Sequence, residues 1–572
     1  MAAARVPTSH WTGAGISRAP LNLQLIFSGI MTYVRHNCRI RKARAVALNS
    51  RETQEMAAYQ EVEVKLRVDP KKMTHFRRSR WWRHIGRGRR HSLHSTYFDT
   101  KDQDLRGSDI SLRTRTDGHE FIQTVKMLNG NSHSVSRREW ETLVSDSIPD
   151  PSLVIDPALP EVFRKLTSAD LQPLFDVDLK RETRRLTSDH AEIDVSLDDG
   201  AVIVGKQRTP IHEIELELVG GEINHLFDET RHISDAVDGR LHLRTKSDLG
   251  YALYEPKHRT WSRAPKLYLA PHMSAHEAFR AIVLHSLSHL TANDDCARLN
   301  LHIEGVHQCR IALRRLRSAF NIYKPLLRRK RIEVVVDAVR ALGRTLGAAR
   351  DLDVLQTELL DPAIKALGEA EQLSPLFATL TAKKTGAYWQ VGEALSSPDY
   401  RRFLIDLCAL AHAEDLGKVR PEAPGLDQPV SELASSALSK AHGKLLEQGA
   451  GFETLSKSAR HEVRIALKRL RYGLDFFGNL FDGGGKKKFM KRLARLQDDL
   501  GRMNDVAVAE RMLAQLIGIE RDGTGSTGRI APKTELSFAT GEILGWHRRR
   551  AAEIDSQLVN DWNAFVHSKQ FW

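Results

Sequence analysis

Cysteine is scarce in this chain. Four thiols in 572 residues (Cys38, Cys296, Cys309 and Cys408) are scattered without C-x-x-C spacing. That excludes a disulfide framework and fits a reducing cytosol. No apolar run reaches membrane-spanning length, so no membrane partner is expected. Aromatic residues make up 7% and charged residues 28%, as in a soluble globular protein. No acidic residue precedes Glu52. Leu21–Val34 could pass for a signal core, but Asn22, Gln24 and Gly29 interrupt it and no clear cleavage site follows. Residues 1–58 are therefore read as a disordered extension, with Met56 the true initiator just before the first strand.

Positive charge is abundant. Lys and Arg number 86 against 72 Asp and Glu, a net charge of +14 that favours an anionic partner. A chain of this length should hold two or more domains.

The first domain announces itself by alternation. In Glu61-Val62-Glu63-Val64-Lys65, polar and apolar residues alternate, so a strand would carry Glu61, Glu63, Lys65 and Arg67 on one face and Val62, Val64 and Leu66 on the other. Asp69-Pro70 ends that strand. Such a strand usually shows a solvated charged face, but here the pattern recurs. Glu213, Glu215 and Glu217 share one face, and so do Asp194, Ser196 and Asp198, with Asp199-Gly200 read as a turn. Three like charges on adjacent positions repel unless cations face them. The cations alternate too: Arg113 with Arg115, then a turn at Asp117-Gly118, Thr124 with Lys126, Arg137 with Glu139 and Glu141, and Arg181 with Thr183 and Arg185. About eight strand-like runs lie between residues 59 and 255. Their charged faces are too consistent and too mixed in sign to be all solvent-facing. A closed antiparallel barrel can keep a polar lumen while its outer wall packs on helices. Carboxylates in such a lumen suit a divalent metal, and Arg and Lys suit phosphate.

On these residues the region resembles the CYTH, or triphosphate tunnel metalloenzyme, superfamily. The matching segments run in order through Glu61-x-Glu63-x-Lys65, Tyr97-Phe98-Asp99-Thr100, Leu112-Arg113-x-Arg115, Thr124-Val125-Lys126, Arg137-x-Glu139-Trp140-Glu141, Leu197-Asp198-x-Gly200, Glu213-x-Glu215-x-Glu217 and Thr245-Lys246 before Gly250-Tyr251. The resemblance implies an eight-stranded antiparallel β tunnel that binds a triphosphate with Mg²⁺ or Mn²⁺. Glu61, Glu63, Asp198, Glu213 and Glu215 would hold metal. Lys65, Arg113, Arg115, Lys126, Arg137, Arg181 and Lys246 would grip phosphates, with Lys65, Glu61 and Glu63 the catalytic candidates. The activating base, a carboxylate or a water held by the metal, stays open. Leu249 departs from the pattern, which often has arginine there, so one phosphate contact is missing or supplied elsewhere.

Residues 256–272 read as a linker, and from residue 273 helical periodicity replaces alternation. An internal repeat stands out. His307-Gln308-Cys309-Arg310-Ile311-Ala312-Leu313-Arg314-Arg315-Leu316-Arg317 recurs 154 residues later as His461-Glu462-Val463-Arg464-Ile465-Ala466-Leu467-Lys468-Arg469-Leu470-Arg471. On a helix, His307, Arg310, Arg314 and Arg317 fall within about 80° of one another, beside an apolar stripe of Leu313, Leu316 and Phe320. His461, Arg464, Lys468 and Arg471 repeat the arrangement. A lone basic stripe is usually a solvated face; two copies could line opposite walls of a cleft. The two histidines could donate to phosphate, serve structure or bind metal, and metal ranks last because no second ligand recurs with suitable spacing.

This half, residues 273–565, resembles the CHAD domain. The resemblance implies an all-α domain of two pseudo-symmetric four-helix bundles whose basic surface binds inorganic polyphosphate. In the second copy Lys468 replaces Arg314 and Asn504 replaces Arg350, so its grip would differ. Lys486-Lys487-Lys488 and Lys491-Arg492 add positive charge nearby. Asp522–Gly528 reads as a loop between late helices.

The combined expectation is an inorganic triphosphatase, a phosphoric anhydride hydrolase, fused to a polyphosphate-binding domain. It would be cytoplasmic and associated with polyphosphate granules. The rivals are adenylate cyclase or thiamine triphosphatase chemistry in the same tunnel, and a non-catalytic polyphosphate-binding scaffold. Nucleic acid is disfavoured, because no aromatics interleave with the basic helices to stack bases. Oligomeric state is not readable from the sequence.

Overall fold

The computed structural model of the protein describes residues 59–117, 120–128, 135–255, 260–368, 373–417, 425–517 and 534–572. The extension over residues 1–58, Cys38, Gly118 of the expected turn and the expected loop Asp522–Gly528 lie outside the described residues.

Eight strands, β1 (Tyr59–Arg67), β2 (Arg89–Asp99), β3 (Ile110–Asp117), β4 (Glu120–Leu128), β5 (Ser136–Val144), β6 (Gln172–Thr187), β7 (Ala191–Val204) and β8 (Gln207–Gly221), pair antiparallel in the order β5-β4-β3-β2-β6-β7-β8-β1. A two-residue β9 (Arg240–Leu241) adds to the end of β1. The first half of β1 also pairs with β5, with Glu61 opposite Arg137, and its second half with β8, with Lys65 opposite Glu215. One strand therefore closes the ring, and the Glu-x-Glu-x-Lys segment lies across the seam. Closure removes the edges that would otherwise seek partners.

The alternation expected from sequence sorts the side chains. Val64, Leu66, Val195, Leu197, Ile214 and Leu216 face outward into a core, while Glu61, Glu63, Lys65 and Glu215 line the lumen. Asp69 caps α1 (Pro70–Arg78) by accepting from the Lys71 N–H, with Pro70 at the first helical position. After the short α2 (Arg80–His84), the next long helix, α3 (Ile223–Val237), lays Leu226, Phe227, Ile233 and Val237 on the outer barrel wall. On the far side a second apolar layer holds Leu112, Val125, Trp140 and Phe163. Asp199-Gly200 is not a turn. β7 runs straight through it, and a Cβ on Gly200 would sit 1.9 Å from the Asp178 carbonyl oxygen of β6, so glycine serves close strand approach.

Helix α4 (Lys246–Tyr254) plugs one end of the barrel. A capping box between Thr245 and Asp248 starts it. Tyr251 packs edge-on against Phe175, its hydroxyl donates to Asp99 Oδ2 at 2.5 Å, and Leu249 packs into the same apolar cluster. Leu249 is thus part of the plug. Gly250 allows the contact, since a Cβ there would lie 2.1 Å from the Phe175 ring.

The rest of the described chain is helical: α5 (Ala275–Thr291), α6 (Asp294–Arg298), α7 (Ile303–Tyr323), α8 (Arg329–Val354), α9 (Ser374–Ser396), α10 (Pro398–His412), α11 (Val430–Gln448), α12 (Lys457–Phe477), α13 (Lys486–Ile517) and α14 (Thr534–Val566). Helices α7 and α12 begin and end 154 residues apart, matching the sequence repeat. The first set packs α5, α7, α8 and α9 together, with α10 added, and the second packs α11, α12, α13 and α14. The described part of the expected linker is bound in place: His285 Nε2 donates to the Pro265 carbonyl at 2.9 Å, Asn293 bonds both backbone groups of Ser262, and Leu267 and Leu269 are buried. The barrel and the helices share one apolar core. Ion pairs rim it, among them Arg67 to Asp295 at 2.5 Å, Arg231 to Asp406 at 2.7 Å and Arg240 to Asp294 at 2.8 Å. Cys296, Cys309 and Cys408 are buried free thiols. No helix among the described residues is long and apolar enough to cross a membrane.

Candidate active site

The lumen is a cavity of about 340 Å³ lined by charged side chains from β1, β3, β4, β5, β6 and β8 and by the first turn of α4. Strand alternation aims these groups inward, and the cross-strand register sets opposite charges side by side.

In its wall, Asp198, Glu213 and Glu215 each offer a carboxylate oxygen within 4.8 Å of the others; all three are buried, and of the three Glu215 lines the cavity. Cations hold them. Lys246 Nζ lies 2.9 Å from Asp198 Oδ2 and 3.4 Å from Glu213 Oε2, and it also contacts Glu215. Arg181 donates to both oxygens of Asp198, at 2.7 and 2.6 Å, and reaches Glu215 as well. His242 Nδ1 is 2.8 Å from Glu213 Oε1. Burial alone would raise the Glu213 carboxyl, yet Lys246 and His242 bring it down to about 2. Glu215 is likewise held well below the usual range against burial by Lys246, Lys65 and Arg181.

Glu63 sits beside this group. Lys65 Nζ is 2.6 Å from Glu63 Oε2 and 2.6 Å from Glu215 Oε1. Burial and the neighbouring Glu215 carboxylate push Glu63 up to about 8, against the pull of Lys65. Like charges this close oppose double ionisation, and the cost falls on Glu63.

Glu61 belongs to a second arrangement. It accepts from Lys126 Nζ at 2.9 and 2.8 Å, and Lys126 also lies 3.5 Å from Glu139. Burial would raise the Glu61 carboxyl, but Lys126, Arg137 and Lys65 lower it to about 2. The structure thus gathers Asp198, Glu213 and Glu215 in one group, sets Glu63 at its edge and separates Glu61 from it.

The remaining cations line the wall. Arg113 donates to the Tyr97 hydroxyl at 3.3 Å. Burial, with Arg113 and Arg181 close by, lowers Arg115 to about 10. The Nε atoms of Arg113, Arg115 and Arg137 are buried with no hydrogen-bond partner among the described residues. Unsatisfied charged donors are costly, and a polyanion in the cavity would satisfy them. Sequence reading missed Ser95, Tyr97, Ser111 and Ser247 on the wall, and His242 behind Glu213. Single hydroxyls and one histidine leave no periodic signal.

The helical candidates are placed differently. Helices α7 and α12 cross where the Arg315 guanidinium lies 5.5 Å from the Phe476 ring centre. Arg310, Arg314 and Arg471 lie near Tyr472 in this region. Arg310 passes over Gly347 of α8, where a Cβ would meet its Nη1 at 2.7 Å, and lies 3.7 Å from Asp351. Arg471 pairs with Asp475 at 3.1 Å, and Arg317 is exposed. His307 lines a separate cavity of about 570 Å³ with Trp261, Arg263, His289, Glu304 and Gln308. Burial and the nearby Arg350 lower it to about 4, so it is neutral near pH 7. His461 is exposed, and Arg464 and Lys468 are half-buried on α12. The two histidines are therefore in unlike surroundings.

Comparison with known proteins agrees with this division. An inorganic triphosphatase of Haemophilus influenzae is 31% identical over 163 residues, 28% of this chain and 46% of that protein. An uncharacterised protein of Mycobacterium tuberculosis is 25% identical over 277 residues, 46% of this chain and 52% of that protein. The matches thus span about half the length of these relatives. The crystal structure of the CHAD domain from the plant Ricinus communis aligns at TM-score 0.43 and 28% identity over 55% of this chain and 99% of its own. Family models match two stretches: residues 59–249 are a CYTH domain, and residues 281–514 are a CHAD domain.

Proposed function

We propose that the barrel hydrolyses inorganic triphosphate to pyrophosphate and phosphate with Mg²⁺ or Mn²⁺, and that the helical domain binds polyphosphate. The domains run over residues 59–255 and 273–565, joined by 256–272. The observation that carries this reading is the lumen itself, where Glu215 of a buried three-carboxylate group shares the wall with arginines whose buried Nε atoms lack partners among the described residues. The name and identity of the Haemophilus relative support the choice of substrate.

The donor set fits a hard divalent ion, since Asp198, Glu213 and Glu215 offer only carboxylate oxygens. When bound, such an ion supplies charge neutralisation of the phosphate oxygens. The chain's own residues do the rest. Arg113, Arg115, Arg137 and Lys126 bind and orient the phosphate chain, offsetting the repulsion that protects its anhydride from attack. Water adds to the terminal phosphorus and pyrophosphate leaves. Lys246 and Arg181, held by the three carboxylates, are the nearest further cations for the leaving group. Glu63, at the edge of the group, is the carboxyl whose ionisation burial and Glu215 oppose.

The test is phosphate release from tripolyphosphate, with and without Mg²⁺, for wild type, Glu61→Ala and Glu213→Gln. Removing one electrostatic contact of this kind should cost about 10²–10³ in rate. Release that ignores Mg²⁺, or equal rates in all three proteins, would end the assignment. For the helical half, reversing Arg310 and Arg464 to Glu should weaken polyphosphate binding, and unchanged binding would refute that part.

A further inference from the structure

Between Asp69 and Asp99 the chain has no carboxylate, but it has nine Lys and Arg residues and four His. This run builds α1, α2 and the start of β2. Two of its arginines are structural: Arg77 and Arg90 lie 3.7 and 3.4 Å from Glu182, a buried residue that also accepts from the Trp82 indole. The others are not engaged in this way. Arg78, Arg83, His84, Arg87, Arg89 and His91 are exposed, and none has an ion pair among the described residues.

Their position matters more than their number. Leu93, Ser95 and Tyr97 of β2 line the lumen, and the same alternation carries His91 and Arg89 outward along that face. His91 pairs in register with Arg181, which holds Asp198, and Arg89 pairs with Thr183. The α4 plug is tied to Asp99, at the other end of β2. Arg89 is ten residues from it, about 33 Å along a strand. The basic run therefore begins beside Arg181, which holds the buried carboxylate group, and leads away from the barrel at the end opposite the plug.

We infer that this run is an outer anion-binding track for the distal part of a linear polyphosphate chain whose terminal phosphates occupy the lumen, so that the barrel accepts chains longer than three phosphates. The inference rests on the proposed tunnel chemistry and specifies its substrate class. Charge complementarity and continuity with the lumen select this ligand. Base-stacking nucleic acid is disfavoured by the aromatics of the run: Trp82 is fully buried, and Trp81 is held between Phe76 and His232, with ring centres 5.6 Å from each.

Steady-state hydrolysis of tripolyphosphate and of long-chain polyphosphate by the full chain tests this, comparing wild type with Arg87→Glu/Arg89→Glu. Both side chains are exposed, so the fold should survive, as a thermal melt would verify. The variant should raise KM for the long chain about tenfold and flatten its salt dependence by about one to two log units per decade of salt, if each site displaces counterions as on nucleic acids. KM for tripolyphosphate should stay within about twofold, because Arg89 lies four residues, about 13 Å along the strand, from the lumen-lining Leu93, beyond the Debye length of about 8 Å that screens exposed charges. Equal losses on both substrates, or no loss on either, would overturn the track. So would single-stranded DNA competing with the long chain as well as polyphosphate does. Failure of wild type to cleave tripolyphosphate would instead refute the proposed function. In that event, titration with long-chain polyphosphate in an Arg310→Glu/Arg464→Glu background decides the track: affinity unchanged by the Arg87/Arg89 reversal counts against it, and a loss of about tenfold supports it.

Discussion

Lys246 Nζ lies 2.9 Å from Asp198 Oδ2 and also contacts Glu213 and Glu215, so one ammonium stands at the point that three buried carboxylates share. Its charge offsets the three carboxylates, as that of a divalent cation held by them would. Lys246→Met removes it, leaving Arg181, Lys65 and His242 to balance the group. Breaking a buried pair this way should cost about 3–5 kcal/mol. Mg²⁺ should then raise the melting temperature of Lys246→Met by more than it raises that of wild type, because the ion replaces the lost charge. Equal shifts in a thermal melt across Mg²⁺ concentrations would contradict this placement.

Gly250→Ala should loosen the plug. Its new Cβ would fall 2.1 Å from the Phe175 ring, which Tyr97 stacks on from another side at 4.8 Å. Overpacking of this kind costs about 1–3 kcal/mol. Lys246 rides on the same helix, so tripolyphosphate hydrolysis should fall together with stability. Adding Phe175→Leu should recover part of both. Denaturant melts and phosphate release on the single and double variants would measure it, and an unchanged single variant would mean that the plug yields freely.

Arg240→Ala should weaken the seam between barrel and helices. Asp294 is buried, accepts from Arg240 at 2.8 Å and from the Tyr400 hydroxyl at 3.2 Å, and has its carboxyl raised by burial despite Arg240. Without the guanidinium that carboxylate is left buried and unpaired, a loss of about 3 kcal/mol. Denaturant unfolding should show an earlier midpoint, while a midpoint matching wild type would mean that the pair contributes nothing.

His412 makes the fold sensitive to acid. Its Nδ1 faces the Cys408 carbonyl at 2.9 Å, its Nε2 is buried without a partner, and burial lowers it to about 4. The unfolded chain gains this proton near pH 6.5, whereas the folded chain resists until about pH 4. The contribution is therefore complete above about pH 6.5 and is lost as pH falls through that window, at most ~3 kcal/mol. His412→Gln should flatten the fall in melting temperature between these values. His289 and His307, also lowered to about 4, leave a residual slope. A variant with the same profile as wild type would discount His412.

Much of the barrel could be read from alternation, because a strand's period of two binds sequence position to face. Glu61-x-Glu63-x-Lys65, Arg113-x-Arg115 and Arg137-x-Glu139-x-Glu141 all face the lumen as expected. Asp199-Gly200 misled for a physical reason: glycine serves close backbone approach as well as turns, and composition does not separate the two. The 154-residue repeat located α7 and α12 but not the surroundings of their histidines. Those depend on what packs against each helix: His307 shares a cavity with Trp261 and Arg263 of the connecting segment, and His461 is exposed.

By itself the sequence determined which side chains share a face, since local periodicity is a property of the backbone alone. Only the tertiary structure decided which faces meet. Ring closure through β1 set Glu61 beside Arg137 and Lys65 beside Glu215, and the register of β6, β7 and β8 put Asp198, Glu213 and Arg181 together. Convergence of groups far apart in the chain is settled by barrel register and helix docking. No local pattern of residues encodes those two quantities.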